Sequence, residues 1–276
     1  MKYIVEIDWL RENLYQDNIR IVDCRFSLSD PHLGVKEYKE NHIPGAVYFD
    51  LEKDLSSSPE KHGGRHPLPK IDQIKEKLEN AGIDDGVKVV AYDDGGGEYA
   101  SRFWWILTYL GHKDVQILNG GIKAWNLKQY PVDNILPSFK NTCFTVSLQD
   151  NMVAKMIDIK NNIEEQKTIL IDSRAHNRYI GLEEPIDKKA GHIPGAINKV
   201  WTEGFHKGYW KSAEEQKERF KDIKPSDSII VYCGSGVTAT PNIIALLEAG
   251  YTHIKLYPGS YSDWVSYDEN PIETDL

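Results

Sequence analysis

The sequence predicts an α/β protein made of two similar domains, each a mostly parallel sheet flanked by helices. The first observation is an internal repeat, because four segments recur in the same order 139–150 residues further along the chain. The second is that both halves alternate short β-branched runs with longer segments of helical periodicity. Apolar strands interleaved with helices are typical of parallel sheets covered on both faces. The matching pairs are IVDCR (21–25) with LIDSR (170–174), NHIPGA (41–46) with GHIPGA (191–196), VVAYDDGG (89–96) with IIVYCGSG (229–236), and LNGGIKAW (118–125) with YPGSYSDW (257–264).

Each half supplies three predicted strands and two predicted helices. The strands are predicted at 20–23, 87–92, 115–118, 168–172, 228–232 and 254–257, and the helices at 71–81, 98–110, 212–220 and 241–249. Near-constant offsets between the repeats indicate a duplicated domain of ordinary size rather than a short solenoid repeat. Residues 132–149 are irregular and are predicted to link the halves, so the expected domains are 1–131 and 150–276.

Four pairs of repeated residues are expected to be structural. The His-Ile-Pro-Gly-Ala segments predict tight turns, because Pro fixes φ and Gly permits unusual backbone angles. An acid two residues before an arginine at a strand end predicts an internal ion pair. The pairs are His42 and His192 in the turns, Asp23–Arg25 and Asp172–Arg174 as ion pairs, and Trp125 and Trp264 in the cores.

Composition excludes several classes of function. The net charge of −9 argues against nucleic acid as a partner, because phosphate binding requires a basic face. Three cysteines are too few for a disulfide scaffold and favour a reducing compartment. The N-terminal residues lack the apolar core of a signal peptide, and no stretch reaches the ~20 apolar residues of a membrane span. The expected location is therefore the cytoplasm, with no membrane partner.

Cys233 is the strongest candidate for a catalytic residue. It follows a predicted strand and precedes a Gly-rich loop that leads into a helix. Backbone N–H groups and the positive end of a helix dipole converge at such a position and stabilise a thiolate, which is the nucleophilic form. The competing interpretation is a small buried cysteine that only packs the end of the strand. Asp93 occupies the matching position of the first half, which is therefore predicted to lack this activity and to wall the cleft of the second domain.

The residues after Cys233 separate two chemistries. A cysteine phosphatase loop carries an arginine six residues after the nucleophile, where it binds phosphate through two hydrogen bonds. The residue at that position here is Ala239, so phosphate chemistry is not expected. Sulfur transfer through a cysteine persulfide requires only backbone donors at the sulfur and a cation for the donor's anion. The loop therefore favours sulfur transfer.

The whole chain resembles the tandem rhodanese-domain sulfurtransferases. The resemblance rests on the duplicated Asp-x-Arg and HIPGA segments, the Asp93–Asp94 half and the CGSGVTA loop at 233–239. It implies two rhodanese-like domains, no metal and no cofactor. It also implies transfer of sulfur from 3-mercaptopyruvate or thiosulfate to cyanide or a thiol, with thioredoxin among the candidate acceptors. Cys233 would carry the persulfide within an amide cradle formed by Gly234, Ser235, Gly236, Val237 and Thr238.

The resemblance assigns further residues by position. Arg178 matches the arginine that holds the donor's anion, and Ser260 matches a serine beside the cleft and is expected to help bind the donor. In mercaptopyruvate-type members a hydroxyl, a histidine and an acid form a relay. The matching residues are Ser235, His66 and Glu52, where the family usually has Asp, with Asp50 and Asp54 as alternative acids. Because His66 lies in the first half, this relay requires the first domain to reach the Cys233 loop.

Two features disagree about the preferred donor. Thiosulfate-type members place basic residues directly after the cysteine, whereas this chain has Gly234, which favours 3-mercaptopyruvate. The family's second donor-binding arginine, however, is missing between Arg178 and Gly191, where only Lys188 and Lys189 are basic. Both donors therefore stay open, with a slight preference for 3-mercaptopyruvate.

Two other classes of function are also open. One is a regulatory or binding module without turnover, a role taken by rhodanese-like domains that lack the cysteine. The other is a redox sensor, which requires a resolving cysteine near Cys233. Cys24 and Cys143 lie in the first half and in the predicted linker, so the sequence offers no obvious resolving partner.

Overall fold

A parallel sheet organises each of two units in the computed structural model, which describes residues 1–276. The first unit comprises Met1–Ser57, Leu68–Gln149 and Lys207–Trp210, and the second comprises Ser58–Pro67, Asp150–His206 and Lys211–Leu276. None of the helices combines the length and the apolar character needed to span a bilayer.

The first unit contains a five-stranded sheet in the order β1-β5-β4-β2-β3, with every neighbouring pair parallel. Its strands are β1 (Ile4–Val5), β2 (Ile19–Asp23), β3 (Ala46–Tyr48), β4 (Lys88–Tyr92) and β5 (Val115–Leu118). Its helices are α1 (Ile7–Asn13), α2 (Leu33–Glu40), α3 (Ile71–Asn80), α4 (Glu98–Tyr109) and α5 (Gly121–Leu127). The strands alternate with the helices along the chain, which is the pattern of crossover connections between parallel strands.

The second half of the chain forms a four-stranded sheet in the order β11-β10-β6-β7, again with parallel neighbours only. The strands of this sheet are β6 (Thr168–Asp172), β7 (Ile197–Asn198), β10 (Ser228–Tyr232) and β11 (Ile254–Leu256), and the short strands β8 (Phe205–His206) and β9 (Tyr209–Trp210) lie outside it. The helices are α6 (Met156–Glu165), α7 (His176–Ile180), α8 (Ala213–Arg219), α9 (Ala239–Glu248) and α10 (Ser260–Trp264), with 3₁₀ turns at Asp150–Met152 and Trp201–Gly204. The predicted fold class of two parallel α/β sheets is therefore confirmed.

The repeated tryptophans and histidines have the structural roles expected of them. Trp125 and Trp264 are fully buried, and each indole N–H donates to a proline carbonyl at 2.8 Å, Pro131 O in the first unit and Pro271 O in the second. The buried rings of His42 and His192 hydrogen-bond through Nδ1 to the carbonyls of Tyr38 and Tyr179. Polar groups in a core must find such partners, because an unpaired one is costly to bury.

The repeated Asp-Arg pairs form as predicted at the carboxyl ends of the central strands. Arg25 donates through Nε and Nη2 to Asp23, and Arg174 donates in the same way to Asp172. All four side chains are at most 4% exposed. Two parallel N–H···O bonds satisfy a buried carboxylate far better than a single contact does. These pairs therefore fix the strand ends on which the following loops are built.

The units differ from the ranges expected from the sequence at three short segments. Ser58–Pro67, expected in the first domain, belongs to the second unit. Residues 132–149 form no helix or strand, as expected, but they pack on the first unit. Phe144 is buried there, and Ser147 N donates to Leu110 O at 2.8 Å. Lys207–Trp210, expected in the second domain, belongs to the first unit.

Candidate active site

Cys233 lies directly after β10 and is buried. The Gly236 N–H donates to Cys233 Sγ at 3.1 Å, so one amide of the predicted cradle already contacts the sulfur. The loop then enters the ten-residue helix α9 after Thr238, which places the positive end of the helix dipole at the loop. The carbonyls of Cys233 and Gly234 accept hydrogen bonds from Tyr261 N and Ser262 N at the start of α10, at 3.0 and 2.9 Å. The loop is therefore held from both sides.

Two residues fix the backbone around the sulfur. Gly236 has φ +76°, and a Cβ there would lie 2.4 Å from Pro258 O, so no other residue fits without rearrangement. Ser260 is buried with φ +54°, a strained angle for a residue with a side chain. Its hydroxyl accepts from Cys233 N at 3.1 Å and donates to Tyr257 O at 2.9 Å. Ser260 was predicted to bind the donor, but this geometry favours a role in holding the cysteine backbone.

Ser58–Pro67 belongs to the second unit because the chain around its two glycines packs on α10 and the residues after it. Gly63 N donates to Asp263 Oδ1 at 2.7 Å, and Arg65 N donates to Ser262 Oγ at 3.2 Å. Gly64 has φ +84°, and a Cβ there would lie 2.4 Å from Gly259 O. The Gly-Gly pair thus permits the close approach that brings Arg65 and His66 to the Cys233 loop.

His66 and Ser235 are brought together by this packing. His66 Nδ1 lies 2.8 Å from Ser235 Oγ, and both residues are less than 9% exposed. His66 lies in the first half of the chain, as expected, but the segment 58–67 that carries it packs with the second unit. The serine and histidine of the predicted relay are therefore in contact within the second unit. The serine of this pair, Ser235, is two residues after Cys233.

The predicted acids of the relay lie in the first unit. Glu52 is exposed, and its backbone N–H donates to Asp50 Oδ1 at 2.9 Å. Asp50 also accepts from Lys53 N, while Asp54 accepts from Asp50 N and pairs with Lys77 Nζ at 3.2 Å. The contacts of Asp50 and Asp54 are those of carboxylates that cap a turn. The acid member of the relay stays a prediction.

Arg178 lies beside the loop in a network of buried carboxylates. It donates to Glu184 through Nε at 3.1 Å and Nη2 at 2.7 Å, and through Nη2 to Asp187 Oδ2 at 3.0 Å. Burial disfavours the charged form of Glu184, but hydrogen bonds from Arg178 and from nearby backbone N–H groups outweigh it and lower its pKa. Burial raises the pKa of Asp187, and the attraction of Arg65 and Arg178 opposes that rise.

Arg65 is a residue of the site that the sequence did not indicate. Its Nη1 contacts Asp187 Oδ1, and its Nη2 would lie 2.8 Å from a Cβ placed on Gly234. Gly234 was interpreted as the absence of the basic residue of thiosulfate-type members. In the structure a basic group nevertheless lies beside this position, because the guanidinium of Arg65 approaches Gly234. The only available signal was the position of Arg65 between a Gly-Gly pair and His66.

The matching loop of the first unit shows what such a loop binds. Asp93, at the position equivalent to Cys233, is buried, and its carboxylate accepts four backbone hydrogen bonds at 2.9–3.1 Å. The donors are the N–H groups of Gly95, Gly97, Tyr99 and Ala100. A loop of this kind after a strand is therefore an anion cradle, which the first unit fills with its own carboxylate.

Glu98, at the start of α4 beside this cradle, gives a testable pH dependence. Its burial, reinforced by the negative charge of Asp93, raises its pKa to about 8. Between about pH 4.5 and 8 the folded state keeps a proton that the unfolded state has lost, so stability falls as the pH rises. Glu98→Gln should remove this loss, so its stabilising effect should grow as the pH rises toward 8. At pH 8 the free energy of unfolding should be higher by on the order of a few kcal/mol, and Tm should rise with it.

Thermal unfolding of both proteins between pH 5 and 9 measures this effect. The matched control is Glu12→Gln, since Glu12 is exposed on α1. A Tm difference between Glu98→Gln and the wild type that stays constant over this range would contradict the prediction.

Comparisons with known proteins agree with this fold. A family model described as "Rhodanese-like domain" matches residues 6–128 and 156–267. The chain is 38% identical to a probable 3-mercaptopyruvate sulfurtransferase of Pseudomonas aeruginosa, over 96% of this chain and 95% of the relative. It is 32% identical to the thiosulfate sulfurtransferase of Mus musculus, over 98% and 94%. The crystal structure of the 3-mercaptopyruvate sulfotransferase SseA from Escherichia coli superposes with a TM-score of 0.85 at 31% identity, covering 95% of this chain and 100% of that one.

The two units are parallel α/β sheets with matching loops after a strand, and the loop of the second unit carries Cys233 where that of the first carries Asp93. The chain belongs to the rhodanese family, as a tandem-domain sulfurtransferase.

Proposed function

We propose that this protein transfers a sulfur atom from 3-mercaptopyruvate or thiosulfate to a thiophilic acceptor through a persulfide on Cys233. The observation that carries the proposal is the position of Cys233 Sγ, which accepts a hydrogen bond from Gly236 N at 3.1 Å in a loop built like the anion cradle around Asp93. Relatives named for each of the two donors support it, at 38% and 32% identity over nearly the full chain.

The first half-reaction moves the donor's outer sulfur to the enzyme. The Cys233 thiolate attacks the sulfur of 3-mercaptopyruvate, an S–S bond forms, and the C–S bond breaks with its electrons passing to the enolate of pyruvate. The enolate then takes up one proton to give pyruvate. With thiosulfate the same attack breaks the S–S bond of the donor, and sulfite leaves with the electron pair. Both routes leave one sulfur on Cys233.

The second half-reaction returns the thiolate. A nucleophilic acceptor attacks the outer sulfur of the persulfide, and the Cys233 sulfur leaves as thiolate. Cyanide is converted to thiocyanate in this step, and a thiol is converted to a persulfide. We propose thioredoxin as one such thiol, and the cytoplasm as the compartment in which the transfer takes place.

The side chains around the loop divide this work. Arg178 offers a guanidinium beside Gly234 for the anionic group of the donor. Ser235 and His66 form a hydrogen-bonded pair that can deliver the proton required by the enolate. The backbone N–H of Gly236 stabilises negative charge on the cysteine sulfur.

Steady-state cyanolysis with each donor tests the proposal. The wild-type protein should produce thiocyanate with either donor. With 3-mercaptopyruvate it should release one pyruvate for each thiocyanate, and with thiosulfate one sulfite for each thiocyanate. A chain that binds either donor without releasing thiocyanate would be a binding module, and the proposal would be wrong. A thiol sensor would likewise release no pyruvate or sulfite.

A further inference from the structure

Two guanidinium groups approach the backbone of Gly234, the residue that follows Cys233. A Cβ there would lie 2.8 Å from Arg65 Nη2 and 3.6 Å from both Nη1 and Nη2 of Arg178. The side chains of Arg65 and Arg178 are 32% and 15% exposed, so a donor in solution can reach them. The hydrogen bonds of Arg178 to the carboxylates use Nε and Nη2, which leaves Nη1 on the side of Gly234.

One carboxylate holds both arginines. Asp187, whose side chain is 3% exposed, contacts Arg65 Nη1 through Oδ1 and Arg178 Nη2 through Oδ2. Beyond Arg178 the network continues to Glu184, which also accepts from Arg174 Nη1 at 3.0 Å. Arg174 in turn pairs with Asp172. The network therefore contains three guanidinium groups and three carboxylates, namely Arg65, Arg174, Arg178, Asp172, Glu184 and Asp187. Its formal charge is therefore zero.

We propose, building on the function proposed above, that Arg65 and Arg178 form a paired receptor for the carboxylate of an α-keto acid donor. Arg65 then supplies the second guanidinium that is missing between Arg178 and Gly191. A planar carboxylate matches the fork of a guanidinium, and two such groups fix its orientation. Asp187 positions both arginines and keeps the network neutral. A neutral network compensates the desolvation of a monoanion such as 3-mercaptopyruvate better than that of dianionic thiosulfate.

Arg65→Ala tests the receptor. Loss of one charge-assisted contact should lower kcat/KM for 3-mercaptopyruvate by about 10- to 100-fold, mainly through KM, because the contact is made in the ground state as well. Arg65→Lys keeps the charge beside Asp187 but loses the fork, so it should fall between the wild type and Arg65→Ala. The matched control is Lys61→Ala, an exposed basic residue on the same segment, which should leave kcat/KM unchanged.

Asp187→Asn tests the charge balance separately. The amide keeps the shape of the side chain but adds one net positive charge, so the ratio of kcat/KM for thiosulfate to that for 3-mercaptopyruvate should rise about 10-fold. A ratio that stays the same or falls would overturn the specificity role of Asp187.

Titration of pyruvate into Cys233→Ser protein gives a readout that does not depend on turnover. Pyruvate has the same carboxylate and ketone, and its Kd should rise about 10-fold or more when Arg65→Ala is added. Equal Kd values, or kinetics of Arg65→Ala that match those of Lys61→Ala, would overturn this inference alone. Wild-type protein that forms no persulfide with either donor would overturn the proposed function instead.

Discussion

Cys233→Ser should abolish sulfur transfer from both donors and leave the fold intact. A serine hydroxyl cannot accept a sulfur atom, and the Gly236 N–H that faces Sγ can hydrogen-bond to oxygen equally well. Mass spectrometry of donor-treated wild-type protein should find one added sulfur, on the peptide that contains Cys233. Thiocyanate production should fall to the rate of the reaction without enzyme.

The other two cysteines provide matched controls. Cys24 is buried, and burial together with the charges of Asp23 and Asp93 raises the pKa of its thiol well above the usual value. Its thiolate is therefore scarce at neutral pH. Cys143 is exposed, on the irregular segment 132–149. Cys24→Ser and Cys143→Ser should both retain full transfer, and added sulfur on either residue would contradict the assignment.

The sequence was sufficient to predict the parts of the fold whose signal is local. The buried strands Thr168–Asp172 and Ser228–Tyr232 were predicted residue for residue, because their β-branched runs have clear ends. The helix predicted at 212–220 is Ala213–Arg219 with Ser212 as its N-cap, where Ser212 and Glu215 form a capping box. Strands of two residues, such as Ile4–Val5 and Ile197–Asn198, are too short for periodicity to reveal them.

The residues of the site likewise divide into those that a local sequence pattern reveals and those that only tertiary packing brings together. Cys233 is marked by a strand, a Gly-rich loop and a helix that follow one another in the chain, so sequence alone finds it. Arg65 reaches Gly234 only because Gly63 and Gly64 let their segment pack on a helix about 200 residues later. No local pattern carries that information. The same packing brings His66, from the first half of the chain, into contact with Ser235.

The sequence predicted the carboxylate of Asp93 but not the hydrogen bonds that the loop around it donates. The repeat placed a carboxylate opposite Cys233, which indicated an inactive first half. That this carboxylate accepts four backbone N–H groups depends on the loop conformation, which the alignment of two short motifs does not specify. The loop of the first unit thus binds a carboxylate of the chain itself, at the position where the second unit has Cys233.

Ser235→Ala and His66→Ala should each lower turnover of 3-mercaptopyruvate by about 10²-fold, as expected for a positioned acid–base group. The pyruvate enolate must be protonated as it leaves, and the 2.8 Å contact between His66 Nδ1 and Ser235 Oγ places a proton donor two residues from Cys233. Sulfite leaves thiosulfate as a stable anion and needs no proton. Thiosulfate turnover should therefore fall much less.

Three further variants separate catalysis from packing. His62→Ala removes a histidine of the same segment that stacks on Tyr267 and hydrogen-bonds to Ser266, and it should cost far less than His66→Ala. The double variant of Ser235 and His66 should be no slower than either single variant, because residues that act as a unit are not additive. Glu52→Gln should lower turnover of 3-mercaptopyruvate as strongly as His66→Ala if Glu52 is the acid of the relay.

Equal losses of turnover with both donors in Ser235→Ala and His66→Ala would show that the pair only supports the loop, since a proton delivered to the enolate can affect only the donor that forms an enolate.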